Sequence, residues 1–209
     1  MDLIHLLMDP DQLLQRFGSA FWWLSHLIIF VECGLFFPFL PGDSLLFAIG
    51  MFTHGGQIGA PLWVSLITLV VAAFGGNVVG YEIGRAIGEK LYARDGRILK
   101  RRYFDQTIAF FDRYGRRALV LGRFVPIVRT FITVVAGVGQ MPRQVFFTWS
   151  AVGAVLWVVL ITVVGYFLGG VSFIRDNLEV VVLLMVLISV VPMGVEAGRR
   201  WWKNRRRTA

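Results

Sequence analysis

Glu32, Asp43, Arg123 and Arg129 are the residues whose type and setting point to chemistry. All four belong to apolar stretches that proline interrupts. Phe21 to Phe37 ends in Pro38-Phe39-Leu40-Pro41-Gly42-Asp43, and Ala118 to Val138 contains Arg123, Pro126 and Arg129. An Asp or Arg at the centre of a bilayer costs roughly 2.5–3.5 kcal/mol on insertion scales unless it is paired or hydrated. Two acids in one half of the chain and two bases in the other suit segments that meet and neutralise each other. Arg129 follows Pro126 at the expected start of a short helix, where the positive dipole end disfavours a cation. An anion sharing the site relieves that conflict, and a helix start beside a guanidinium fork suits phosphate. Asp43 has two readings: a member of this charged set, or a carboxylate capping the helix that starts after Pro41-Gly42. The four charges as purely structural salt bridges is a further reading. No capping role fits Glu32, which lies inside an apolar helix, so it is read as functional.

Composition states what must hold these residues. Of 209 residues, 56% are hydrophobic and 16% charged, with a mean hydropathy of +0.68; soluble domains carry about a quarter charged residues. Ser44 to Tyr81 and Gln144 to Ile174 contain no Asp, Glu, Lys or Arg, and about 20 apolar residues suffice to cross a bilayer as helix. The net charge of +8 comes mostly from the stretch Arg85 to Arg117 and from a tail holding Arg199, Arg200, Lys203, Arg205, Arg206 and Arg207. That distribution follows the positive-inside rule; no base-reading module accompanies it, so nucleic acid is not the expected partner. Trp201 and Trp202 read as an interfacial anchor. Cys33 is the only cysteine, which excludes an intrachain disulfide. The start Met1-Asp2-Leu3 has no basic n-region, so no cleavable signal peptide is expected. His5, His26 and His54 are scattered and form no metal-ligand spacing with Cys33. Phosphate-loop and nucleophile-elbow motifs are lacking too, so neither metal, cofactor nor enzymatic activity is expected.

The expected fold is an all-α polytopic membrane protein. Residues 1–18 read as an interfacial helix, 19–198 as the transmembrane domain and 199–209 as a basic cytoplasmic tail. Within the domain, 21–52 and 118–138 are broken segments, and 62–86, 145–168 and 180–196 are full spans. Proline lacks an N–H and clashes with the preceding turn, which makes Pro38, Pro41, Gly42 and Pro126 the helix-break positions. Between them, 90–117 is basic and amphipathic, with Phe104, Ile108 and Phe111 on one face, and is expected on the headgroups. If the 85–117 region and the tail are both cytoplasmic, the two final spans use up the crossings, so 118–138 must be re-entrant from inside. The same parity makes 21–52 re-entrant from outside. An internal repeat agrees: Phe36-Phe37-Pro38 and Ala48 match Phe124-Val125-Pro126 and Ala136, and Gly80-Tyr81-Glu82-Ile83-Gly84 matches Gly165-Tyr166-Phe167-Leu168-Gly169. Inverted repeats with broken helices at corresponding places point to a transporter site.

Three stretches, Phe37-Pro38-Phe39-Leu40-Pro41-Gly42-Asp43, Gly80 to Arg85, and Gly122-Arg123-Phe124-Val125-Pro126-Ile127-Val128-Arg129-Thr130-Phe131 with Ala136-Gly137, resemble the DedA family. These are bacterial members of the VTT or SNARE-associated-Golgi-protein superfamily. The resemblance covers about residues 20–170. It implies bacterial inner-membrane transport or scrambling of lipid, including undecaprenyl phosphate, driven by the proton-motive force. The family's membrane carboxylates fall on Glu32 and Asp43, and its arginines on Arg123 and Arg129. The pattern departs at Asn77, where many members carry Asp, so no proton role is carried over to that position.

The expected function is therefore transport of an anionic, phosphate-bearing lipid coupled to protons, with membrane lipids as partners and a homodimer as one open assembly. A membrane-organising scaffold that acts by binding is the alternative, and an intramembrane lipid-processing enzyme the lesser one. In the expected resting state Arg123 and Arg129 pair with Glu32 and Asp43. The inverted topology has a direct test. Cys33 should react slowly with a polar maleimide, a cysteine at Gly56 should label from outside, and one at Arg205 only after permeabilisation. Labelling of both engineered sites from one side would refute the inverted arrangement.

Overall fold

The computed structural model describes residues 10–18, 20–35, 41–93 and 101–171. Pro38, the expected span 180–196 and the tail 199–209 lie outside these residues, as does the first half of the expected interfacial segment 1–18. Among the described residues every regular element is a helix: α1 (Pro10–Phe17), α2 (Ala20–Leu35), α3 (Gly42–His54), α4 (Leu62–Ala93), α5 (Arg101–Tyr114), α6 (Ala118–Leu121), α7 (Pro126–Val138) and α8 (Arg143–Leu168). Short 3-10 turns, Gly115–Arg117 and Gly122–Phe124, flank α6.

Length separates these helices into two kinds. Leu62–Ala86 within α4 has 25 residues and α8 has 26; at a rise of 1.5 Å each is nearly 40 Å long, enough for a hydrocarbon core of about 30 Å. Only 28% and 33% of their most apolar windows are buried, so neither is the core helix of a soluble protein. Their outward faces carry large apolar side chains instead: Trp63, Ile67 and Val71 on α4, and Val152, Leu156, Leu160 and Phe167 on α8. Trp23 and Leu27 extend that surface on α2. Such an apolar exterior needs lipid to cover it. By contrast α3 and α7 have 13 residues each, about 20 Å of helix, too short to cross alone. Most of α3 is buried, from Ser44 to Phe52.

The packing has a cross-over pattern. α2 lies along α4 and α6 along α8, whereas α3 packs on α8 and α7 on α4. Each short helix thus lies against the long helix of the other half of the chain. Glycines make these contacts backbone to backbone, as small residues do between membrane helices. A Cβ on Gly165 would lie 2.2 Å from the Phe47 carbonyl oxygen, and one on Gly50 2.0 Å from that of Thr162. On the other side, a Cβ on Gly84 would lie 2.4 Å from the Val134 carbonyl and one on Gly137 2.2 Å from that of Tyr81. Gly84 and Gly165 lie at opposite ends of the two Gly-Tyr stretches, and each meets the backbone of a short helix. The connecting turns correspond as well. Each contains a left-handed residue, Gly56 (φ 70°) or Gln140 (φ 51°), and ends in a proline, Pro61 or Pro142, directly before the long helix.

The α2–α4 contact is more polar. Trp22 donates its indole N–H to Ser65 Oγ at 3.1 Å. His26 sits with Nδ1 2.6 Å from the Trp22 carbonyl and Nε2 2.8 Å from Thr68 Oγ1, which gives this histidine a packing role.

Overpacking a tight interface costs about 1–3 kcal/mol. Gly50→Ala and Gly84→Ala should each destabilise the purified protein by that order, because the obstructing atoms are backbone. Gly59→Ala, which meets nothing within 4 Å, should not. Thermal unfolding in detergent measures the difference, and equal effects would disprove the backbone-contact assignment.

Candidate functional site

The two broken segments and α8 meet in one buried cluster. On α2, Phe21, Ser25, Ile28, Ile29 and Glu32 form the inward face, so helical spacing alone carries Glu32 into the interior. Asp43 is the second residue of α3, and Arg129 stands in the first turn of α7. Arg129 lies between the two acids. Its Nη1 donates to both Asp43 oxygens at 2.8 Å, and its Nη2 donates to Glu32 Oε1. The Trp157 indole N–H on α8 donates to Asp43 Oδ1 at 2.9 Å. The same ring lies beneath both arginines, with Arg129 Cζ 5.2 Å and Arg123 Cζ 5.9 Å from its centroid, within the range of cation–π attraction.

Asp43 does not cap α3. The residue preceding that helix is Pro41, and no side-chain bond closes the helix start; both Asp43 oxygens face Arg129 instead. Gly42 has a steric task. A Cβ there would lie 2.0 Å from Glu32 Oε2, so any side chain at position 42 evicts the carboxylate. Gly153 does the same for the other arginine, since its Cβ would lie 2.9 Å from Arg123 Nε.

The expected pairing of both arginines with both acids is corrected for Arg123. Among the described residues the ion pairs of the cluster are Arg129–Glu32 and Arg129–Asp43, and none involves Arg123. The physical reason is position. Arg123 sits in the 3-10 turn before the Val125-Pro126 break, on the far part of the Trp157 ring and beside Cys33. Arg129 with two carboxylates leaves a local charge of −1, and Arg123, which shares the Trp157 ring, supplies the balancing +1. Exposure is uneven too: the Glu32 side chain is 6% accessible, those of Asp43 and Arg129 25% and 23%. The cluster opens on the Asp43–Arg129 side and is closed behind Glu32. Pro41 and Pro126 stand at the starts of α3 and α7 as expected of break positions.

Trp157 and Gly153 were not singled out from sequence. A tryptophan at the middle of an apolar helix, away from the interfaces where these rings gather, was the available signal.

The match to known proteins accords with this geometry. The model of the VTT domain matches residues 40–167. Protein DedA of Escherichia coli K12 is 37% identical, covering 95% of both chains. The chain belongs to the DedA family. An uncharacterized membrane protein of Mycobacterium leprae is 40% identical over 92% of this chain and 86% of its own. The inner membrane protein YqjA of Escherichia coli K12 is 34% identical over 85% and 81%. No solved structure matches.

A second charged contact, Arg143 Nε and Nη2 to Glu82 at 2.8 and 2.9 Å, is exposed. The two ion-pair sites should therefore differ in stability. Exposed pairs contribute about 0–1 kcal/mol, whereas removing one member of a buried set costs about 3–5 kcal/mol. Arg129→Met, which leaves two carboxylates uncompensated, should destabilise by about the lower end of that range, given its partial exposure. Arg143→Gln should cost little, because solvent screens an exposed pair. Chemical denaturation in mixed micelles measures both, and similar losses would mean that the Arg129 cluster is as solvated as the surface pair.

Proposed function

We propose that this membrane protein is a proton-coupled transporter, flippase or scramblase, of anionic phosphate-bearing lipid in the bacterial inner membrane. Undecaprenyl phosphate and anionic phospholipids are the substrates of matching chemistry. The observation that carries the proposal is Arg129, a guanidinium held by two carboxylates from two helices at the partly open side of a buried cluster. Such a pair can exchange partners. A phosphate that takes Arg129 leaves Glu32 and Asp43 without their cation, and unpaired carboxylates in a low dielectric take up protons. Loading the lipid and loading the proton then become one event, reciprocal by linkage.

The cross-over packing of α3 on α8 and α7 on α4 supports an inverted repeat, in which α2–α3 and α6–α7 are re-entrant hairpins entering from opposite faces. Their 13-residue inner arms, and glycine contacts between each short helix and a long one, support it as well. The clustered positives support a cytoplasmic C-terminus in this arrangement. The headgroup would cross between the hairpins while the acyl tails stay in lipid. Catalysis is not part of the proposal, nor is a cofactor.

The test is binding of phosphatidylglycerol, whose phosphodiester keeps one charge from pH 6 to 9, to the protein in nanodiscs. Because loading takes up a proton, wild-type affinity should rise as pH falls across this range. Glu32→Gln mimics the protonated carboxyl, so it should bind with a flatter profile and fail in proton-driven translocation. Arg129→Lys keeps the charge but loses the fork, and should impair translocation far more than Arg116→Lys on the exposed turn. Identical pH profiles for wild type and Glu32→Gln, with equal effects of the two lysine variants, would leave a binding scaffold as the surviving function.

A further inference from the structure

Behind the Arg129 cluster lies a second set of polar groups with no part in the partner exchange described above. Arg123 is 5% exposed, Asn77 2% and Ser150 1%. Arg123 Nε, Asn77 Nδ2 and Ser150 Oγ are buried atoms without a hydrogen-bond partner among the described residues. Two of these are pure donors and the third is a hydroxyl that can donate. Among the described residues no carboxylate forms an ion pair with Arg123. An unpaired donor or cation in a low dielectric is costly, so native proteins supply such groups with partners.

The three groups come together by helix register. Glu82 meets Arg143, Tyr81 stacks on Phe146 at 4.2 Å, and Phe74 meets Phe147, so α4 and α8 run antiparallel. Asn77 is one turn before Tyr81, and Ser150 one turn after Phe146, which brings them to the same level on facing helices. Gly153, a further turn along the Ser150 face, is the residue over which Arg123 Nε lies. Cys33 links the other side: it neighbours Arg123, and its Cβ would be 2.9 Å from a Cβ on Gly76, beside Asn77.

We propose that Arg123, Asn77 and Ser150 form an oxyanion subsite, separate from the Arg129 clamp, that takes the charged oxygens of a phosphate group. It rests on the reading of this protein as a carrier of phosphate-bearing lipid, and adds where the headgroup goes. Arg129 is bonded directly to both carboxylates, while Arg123 has no carboxylate in direct contact among the described residues and has the Cys33 thiol as a neighbour. An anion that has engaged Arg129 therefore has Arg123 as its next cation, the two guanidinium carbons lying 5.2 and 5.9 Å from the same Trp157 centroid.

The experiment measures binding, apart from transport, of two probes to the purified protein: inorganic phosphate and a short-chain phosphatidic acid. Asn77→Asp keeps the shape of the side chain but puts a carboxylate among these donors, and should weaken oxyanion binding by about tenfold or more. Ser150→Ala and Arg123→Lys should weaken it by smaller factors, and Glu82→Gln should leave it unchanged. Loss of both probes in Asn77→Asp supports a site that accepts the free ion. Loss of the lipid alone, where inorganic phosphate does not bind even to wild type, supports a headgroup site. If Asn77→Asp does not fold, Ser150→Ala and Arg123→Lys decide by the same readout. Wild-type affinity for the lipid in the folded variants overturns the subsite, as does failure of wild type to bind either probe. Such an outcome leaves the transport reading untouched if Arg129→Lys still abolishes translocation. Conversely, loss of oxyanion binding in Asn77→Asp beside normal translocation by Arg129→Lys refutes the transport role of the clamp and keeps the subsite.

Discussion

A guanidinium that must find two carboxylates inside an apolar bundle is the constraint on which the rest of this structure depends. Arg129 reaches Asp43 at 2.8 Å and also bonds Glu32, although its partners lie 86 and 97 residues away in sequence. None of these side chains can face lipid cheaply, so their pairing fixes where α2, α3 and α7 converge. Trp157 supplies the floor. Its N–H holds Asp43 in place while its π-face accommodates the cations that flank it. Hydrocarbon in the place of this ring would leave one Asp43 oxygen with fewer bonds and both arginines without a polarisable neighbour.

Convergence at that depth requires helices that stop inside the bundle, and stopping exposes backbone. Irregular backbone at membrane depth is tolerated only where protein or a cavity surrounds it. The glycine contacts cover part of that backbone here. They bring α3 against α8 and α7 against α4 at backbone distance, so the short helices are lined by protein along those faces. The same device works inside the site. Gly42 and Gly153 are empty of side chain where Glu32 and Arg123 need the volume. Glycine here serves close approach, with no unusual backbone angle.

Much of this was legible in the residues themselves. Uncharged runs identified the long helices α4 and α8 to within a few residues at their starts, because hydropathy over twenty positions averages out local detail. Pro41 and Pro126 marked the starts of the short helices, since proline's missing N–H matters least there. The four charged residues were found because charge is conspicuous in an apolar chain. Their partnership was not. Which acid meets which arginine depends on distances across the bundle, and sequence carries no direct record of them. That is why Arg123 was expected to share the carboxylates and Asp43 was open to a capping role. Trp157 escaped notice for a related reason: a large apolar residue in an apolar helix looks like core until its N–H is seen to have a carboxylate partner.

The asymmetry between the two arginines has a consequence for how charge moves. With Glu32 and Asp43 both ionised, the cluster is neutral only as a whole: −1 on Arg129 with its carboxylates and +1 on Arg123. On the proposed function, an anion that paired with Arg123 would turn the balance to −1, and the low dielectric makes such an imbalance expensive. One proton on a carboxylate would restore neutrality. Asp43 has the Trp157 N–H in addition to Arg129, and Glu32 is the more deeply buried of the two. Coupling of anion to proton, as proposed, would not need the headgroup to touch Glu32. It would need only that both belong to one enclosed set whose total charge must stay close to zero.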